Sequence, residues 1–342
     1  MAKVFDREVE RAEVLTLLSS QSKQKRQAII DEYERRSLQA FAPETLRNLR
    51  QIKKSFARWC EYRAYDPMPP VAPEIVAEYV EALGGKLSAN TIATRLWAIS
   101  EHHRSLFLPS PCRHRLVELA LKSVKRKYGA YTRQAPPLSK AEVLGVVLKL
   151  GVSRQELRDK ALIWAASDSW CRVSELVAFQ VRDMERQDDG SSLLFVRRSK
   201  TDPYGKGDYA FLSKGASLAV LAWIEAAGLK AEDPMFTKSQ RGGKRTPLAA
   251  ATVSRIIKRR FDRSDVSSHS MRVGGVHDAF RLNCSLSSIM VAGRWRSPEM
   301  PARYGRRILA SQSAAAEVAK AFESEVSEFT PSDICKVHTS PG

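Results

Sequence analysis

The stretch KRKYGAYTRQAPPLSK, Lys125 to Lys140, decides how this chain is organised. It is basic, holds Gly129, and reaches Pro136-Pro137, which cannot continue a helix. Ser139 follows, a residue whose hydroxyl can cap a helix opening at Lys140. Such an interruption predicts a linker over 128–138. At 342 residues the chain is long for one core, so two domains are expected, 1–127 and 139–325. A polar tail over 326–342 carries two prolines and the composition of a disordered segment.

Upstream of the linker the patterning is helical. A charged stretch covers about Glu8 to Arg36, and Pro43-Glu44-Thr45 opens a helix with Leu46, Leu49, Ile52, Phe56 and Trp59 at threes and fours. Its other face carries Arg47, Arg50, Lys53 and Lys54. Prolines 69, 70 and 73 punctuate the next connection. Helices follow through Ile75–Leu83, from Ser88 with Ile92, Leu96 and Ile99 inward and Arg95 outward, and over Leu116–Lys125.

Downstream the domain is mixed. Helical patterns are expected at 140–150, 154–169 and 171–180, then a strand at Leu193–Val196 and a return strand at 209–213 across the turn KTDPYGKGD. Helices resume at 217–227, 250–261, 273–282 and 286–291, and beyond Pro301. The fold class is therefore mainly α with a small β-sheet.

Charge limits the function. The chain carries 56 basic against 38 acidic residues, a net +18, gathered in clusters such as KRKYGAYTR, QRGGKR, IKRRF and YGRR. Clustered basic charge suits a surface laid along phosphates, each contact releasing counterions. No run approaches the roughly 20 apolar residues of a membrane span. The N-terminus lacks the apolar core of a secretory signal, and five cysteines without paired spacing fit free thiols, so a cytoplasmic, DNA-associated protein is expected.

Four segments carry candidate chemistry. In WCRVSELVAF, Arg172 and Glu175 stand at i and i+3, where a carboxylate can orient a guanidinium; most such pairs are surface ion pairs. In VRRSKTDPYGKGD, Lys200 sits on a hairpin turn, free to donate a proton or simply solvated. In SSHSMRVGGVHDAF, His269 and Arg272 open a helix before Gly274-Gly275, where another backbone can approach; a locally packed histidine is the plainer alternative. The fourth, RWRSPEMPARYGRR from Arg294 to Arg307, holds Trp295 and Tyr304 among five arginines. His102, His103, Cys112 and His114 form the one metal-like grouping, but it lacks a Cys-x2–4-Cys half and reads as ordinary surface.

Taken in order, Arg172, Lys200, His269-x-x-Arg272, Trp295 and Tyr304 resemble the catalytic signature of the tyrosine recombinase (phage integrase) family, in its Cre-like branch with tryptophan in place of a second histidine. The resemblance spans nearly the whole chain. APETLRNLRQIKKSFARWC, Ala42 to Cys60, is similar to the DNA-contacting helix of that branch.

What the resemblance implies is a helical core-binding domain and a catalytic domain that clamp duplex DNA. Arg172 and Arg272 would grip the scissile phosphate, Glu175 would support them, and Lys200 would act as general acid. His269 would accept a proton, Trp295 would donate its indole N–H, and Tyr304 would be the nucleophile. The implied reaction is site-specific recombination through a 3′-phosphotyrosyl intermediate and a Holliday junction, with no metal or other cofactor. The implied partners are double-stranded DNA with inverted arms around a short spacer and a homotetramer on two sites. The segment 308–322, with Ala315, Val318, Ala319 and Phe322 on one stripe, would pass to a neighbouring protomer rather than fold back on its own domain.

DNA-facing candidates are Arg47, Asn48, Arg50, Lys54, Arg95, Lys122, Lys125, Arg126 and Arg133, then Ser254, Arg255, Lys258 and Arg259. Two departures stand out. Lys200 and His269 lie closer together in sequence than in that branch, and Pro298 and Pro301 crowd the approach to Tyr304. A type IB topoisomerase, or a non-catalytic DNA-binding protein on the same scaffold, are the alternatives.

Overall fold

Prolines kept to loops and helix starts and apolar residues at threes and fours shape the first part of the chain. The computed structural model describes residues 23–131, 134–199, 202, 205–238 and 245–323. Lys200, Arg133, the tail over 326–342 and the charged stretch before Lys23 lie outside the described residues. The chain divides into two compact units between residues 133 and 134.

In the first unit, helices α1 (Lys23–Ala40), α2 (Pro43–Tyr62), α3 (Pro73–Leu83), α4 (Ala89–Ser105) and α5 (Arg115–Tyr128) follow one another. Pro43 and Pro73 each stand at the first helical position, where the missing N–H has no acceptor to lose. Ser88 caps α4 by accepting from the Thr91 backbone, and α5 stops at Gly129 with φ of 78°, a conformation that favours glycine. Phe56, Tyr79, Val80, Ile92, Val117 and Val124 form the core.

This core leaves Arg47, Asn48, Arg50 and Lys54 exposed on α2, and Lys122, Lys125 and Arg126 exposed on α5. Arg95 departs from expectation. It turns into the unit, where Nη1 donates to Ser55 Oγ at 2.8 Å and to Tyr79 Oη at 2.7 Å. A long polar side chain on α4 thus satisfies a buried phenol instead of facing outward. The histidine and cysteine grouping is not all surface as expected: His103 is buried between Ile99 O and the Val71 N–H, and Cys112 Sγ donates to Leu96 O.

In the second unit, α6 (Lys140–Val147) opens with a reciprocal capping box between Ser139 and Glu142, followed by α7 (Arg154–Ser169) and a single turn α8 (Val173–Leu176). A three-stranded antiparallel sheet comes next, β1 (Met184–Arg186), β2 (Ser192–Val196) and β3 (Asp208–Leu212), in that order. Leu194 faces Ala210 across the β2–β3 pairing and Met184 across the β1–β2 pairing. The helices α9 (Lys214–Ala227), α10 (Ala250–Phe261), α11 (Ser268–Arg281), α12 (Leu286–Gly293), α13 (Glu299–Ser311) and α14 (Ala314–Ala321) complete the unit. Trp223, Leu162, Leu194, Leu212 and Phe236 lie in its main core.

Four expectations are corrected here. The helix expected over 171–180 is only one turn long. The Phe179 carbonyl accepts from Met235, and the N–H groups of Val181 and Arg182 donate to Asp233 and Ala231, so a neighbouring loop takes the groups a helix would need. The strand β1 has no counterpart in the sequence reading, being three residues long with little burial. Residues 134–138 are not a free linker. Leu138 is buried, its N–H donates to Ser270 O, and its backbone fills the space that a Cβ on Gly274 would occupy. Lastly, the segment 308–322 is interrupted, because Ser313 caps a new helix and Gln312 bonds to Phe280 O and Asn283.

Among the described residues no helix is long and apolar enough to cross a membrane, and Cys60, Cys112, Cys171 and Cys284 are free thiols.

Candidate active site

The site is assembled by helix ends. The helix α7 ends at Trp170 in the left-handed conformation, with φ of 48°, which turns the chain sharply and leaves carbonyls unpaired by the helix. The extended Arg172 then starts α8, and Glu175 caps it by accepting from the Arg172 N–H at 3.0 Å. The same carboxylate accepts from Arg172 Nη1 at 2.7 Å. The other guanidinium donors of Arg172 have no protein acceptor among the described residues.

His269 and Arg272 lie in the first turns of α11, on the side that meets α13. Arg272 is 1% exposed. Its Nη1 donates to Trp170 O, its Nη2 to Gly293 O at 2.5 Å, and its guanidinium lies 4.2 Å from the Trp295 ring centre. Burial, then the nearby charge of Arg172, lowers its pKa to about 10.

Tyr304 is 8% exposed and packs against Trp295 with ring centres 5.8 Å apart. Its Oη lies 3.2 Å from His269 Nε2. The two prolines that crowd this approach resolve simply. Pro298 caps α13 from outside, and Pro301 is its third residue, still within the first turn, where N–H groups have no intrahelical acceptor. Pro301 is thus not the first helical residue, and Tyr304 sits in the second turn of an unbroken helix. Gly305, beside it, lets the Phe280 ring close against α13.

The electrostatics of the three titratable groups differ. Burial, joined by the charges of Arg272 and Arg172, holds His269 below the ordinary histidine pKa, so its neutral form prevails at neutral pH. Burial raises the Tyr304 phenol, against the opposing pull of Arg272, Arg172 and Arg303. Burial also acts to raise Glu175, but the Arg172 backbone and side-chain hydrogen bonds and the Arg294 charge hold it below the usual carboxylate range. A neutral imidazole whose Nε2 carries no proton can accept from the phenol, and the neighbouring guanidinium charges suit an anion.

Thus Arg172, Glu175, His269, Arg272, Trp295 and Tyr304, drawn from three separate segments, meet in one place, while Lys200 of the fourth lies outside the described residues. On the DNA-facing candidates of α10, Arg255 and Lys258 are exposed and Ser254 is half-buried. Arg259 is exposed too, but its Nη2 is tied to the fully buried Asp159 at 3.0 Å. Three contributors were not singled out from sequence. His277 Nε2 lies 2.9 Å from Tyr304 O, and Gln134 Nε2 donates to Arg303 O at 2.6 Å, both fixing the α13 backbone. The spacing of His277, two helical turns beyond His269, was the available signal for the first. Arg294, the third, is buried beneath the site.

No family model matches the chain. The chain is 27% identical over 299 residues to the recombinase Cre of Escherichia phage P1, covering 80% of this chain and 87% of that protein. An integrase/recombinase XerD homolog of Selenomonas ruminantium is 27% identical over 289 residues, covering 79% of this chain and 84% of the relative. In fold, the Tn1549 transposon integrase in complex with circular intermediate DNA is similar, with a TM-score of 0.58, 13% identity, and coverage of 81% of this chain and 94% of that one.

Proposed function

Because the chain belongs to the tyrosine recombinase/integrase family, site-specific recombinases that break and rejoin DNA, we propose that Tyr304 attacks a scissile phosphate held by Arg172 and Arg272. A 3′-phosphotyrosyl bond forms, the bond to the departing 5′-oxygen breaks, and the energy stays in the protein–DNA linkage. The 5′-hydroxyl of a partner duplex then displaces Tyr304, giving a Holliday junction that a second round resolves.

The observation that carries this reading is the 3.2 Å approach of Tyr304 Oη to His269 Nε2 beside two converging arginines. The phenol transfers its proton to the imidazole as it attacks, and the guanidinium groups stabilise the charge that builds on the non-bridging oxygens. Trp295, in contact with both Arg272 and Tyr304, keeps the indole N–H at the phosphate. Lys200, which follows β2 in sequence, is the general acid. The exposed basic residues of α2, α5 and α10 bind the duplex arms.

Assembly follows from an uncovered helix. On α14, Val318 is 60% and Phe322, just past its end, 55% exposed. An apolar pocket of about 480 Å3, lined by Trp170, Phe211, Ala279, Leu282, Ile289 and Ala292, has the chemistry to receive such a stripe. Each protomer donates α14 to the next, and this heterologous contact closes a tetramer on two DNA sites.

The test begins with duplexes selected by the protein from a random pool. Incubation with the enriched duplexes yields an adduct stable to SDS, and two enriched sites on one plasmid exchange strands. Relaxation of supercoiled plasmid lacking any such site, without exchange, would identify a type IB topoisomerase instead. DNA binding without an adduct would leave a non-catalytic binder.

A pH dependence also follows. His269 must be neutral to accept the phenol proton, and its pKa lies below the ordinary 6.5. The acid limb of the single-turnover adduct rate is therefore centred below 6.5. An acid limb centred above 6.5 would remove His269 from this role.

A further inference from the structure

Arg294 is the first residue of the tyrosine-bearing stretch, yet it is buried. It follows α12 with φ of 54°, a left-handed conformation that favours glycine. From that backbone its side chain, 3% exposed, runs beneath the site. Nη1 donates to Ser169 O at 3.1 Å and Ala292 O at 3.3 Å. Nη2 donates to Glu175 Oε2 at 3.1 Å, and also lies 3.4 Å from Cys171 Sγ and 3.5 Å from Trp170 O. Its Nε is buried with no hydrogen-bond partner.

An arginine in a backbone conformation suited to glycine, buried, with one donor unsatisfied, is a poor choice for stability alone. What it achieves is local. Glu175 Oε2 is held by Arg294 and the Arg172 N–H, which leaves Oε1 turned to Arg172 Nη1. Trp170 O, which anchors Arg272 Nη1, is the same carbonyl that Arg294 approaches.

We infer that Arg294 is a positioning residue, a third guanidinium that never touches DNA and acts by fixing the Glu175 carboxylate and the Trp170 carbonyl on which Arg172 and Arg272 are aimed. The inference rests on the reading of Tyr304 as nucleophile. The charged and titratable groups that face Glu175 are Arg172, Cys171, Arg272 and Arg294. Without Arg294 the carboxylate keeps Arg172 and loses a buried cation, so its protonation moves to higher pH. Once protonated it no longer orients Arg172, so the loss of rate on acidification begins at higher pH than in the wild type.

The experiment measures single-turnover adduct formation on an enriched, nicked duplex across pH, with thermal midpoint and DNA affinity recorded for each variant. Wild-type protein that forms no adduct would refute the nucleophile reading, separately from this inference. Given a wild-type adduct, Arg294→Met lowers the rate tenfold or more and moves the acid limb upward, with DNA affinity changed less than threefold. Arg294→Lys restores part of the rate. Arg294→Gly, which relaxes the left-handed backbone, gives the same kinetic signature if the Met variant proves unstable. In the Glu175→Gln background, Arg294→Met costs much less than it does alone, and the upward shift disappears. Wild-type rates in both Arg294→Met and Arg294→Gly, or a slower rate with an unchanged acid limb and full additivity with Glu175→Gln, would overturn the assignment.

Discussion

Tyr304→Phe abolishes the SDS-stable adduct and all strand exchange while leaving DNA binding within a few-fold of wild type. The substitution removes one oxygen, and the ring keeps its packing against Trp295, with ring centres 5.8 Å apart. The lost contact is a single 3.2 Å pairing with His269, and a typical hydrogen bond contributes only about 1 kcal/mol net. Stability and affinity therefore change little, whereas the chemistry has no substitute nucleophile at that place. Denaturing electrophoresis reads the adduct, and a mobility shift on the same duplex reads binding. An adduct persisting in this variant would assign the nucleophile to another residue.

Arg272→Lys has the second-largest effect, a drop in the single-turnover adduct rate of roughly 10²–10³, as for the loss of one preorganised donor to a developing oxyanion. Lysine keeps the charge but not the planar fork. Arg272 uses that fork to reach Trp170 O and Gly293 O while its Cζ lies over Trp295, 4.2 Å from the ring centre. An ammonium cannot make both bonds and stack on the indole. The variant also leaves buried carbonyl acceptors under-satisfied, so a lowered thermal midpoint accompanies the kinetic loss. A rate within threefold of wild type would mean that charge alone, without the bidentate geometry, suffices at this position.

The candidate site was legible from the order of its residues along the chain, each segment being ordinary by itself. Arg172 and Glu175 at i and i+3, and His269 and Arg272 likewise, are pairings a sequence displays directly. The strands of the hairpin were legible from the apolar run Leu193–Val196 and the glycines that follow it. Short-range features with long-range causes were not. The single turn at Val173–Leu176 ends because a loop more than fifty residues further along takes its backbone groups. Arg95 reads as outward on a helical wheel, and only the packing of α4 against α2 and α3 turns it toward Tyr79.

The arginines of RWRSPEMPARYGRR show the division most clearly. By itself the sequence determined the chemistry on offer: one phenol, one indole and an excess of guanidinium, suited to a phosphate. Only the tertiary structure decided which guanidinium does what. Arg294 is buried because the chain leaves α12 in a left-handed turn that drives its side chain under Glu175, while Arg306, two residues past Tyr304 on α13, stays exposed. Side-chain type is written in the sequence. Direction is a property of backbone dihedrals and of neighbours brought close from elsewhere in the chain.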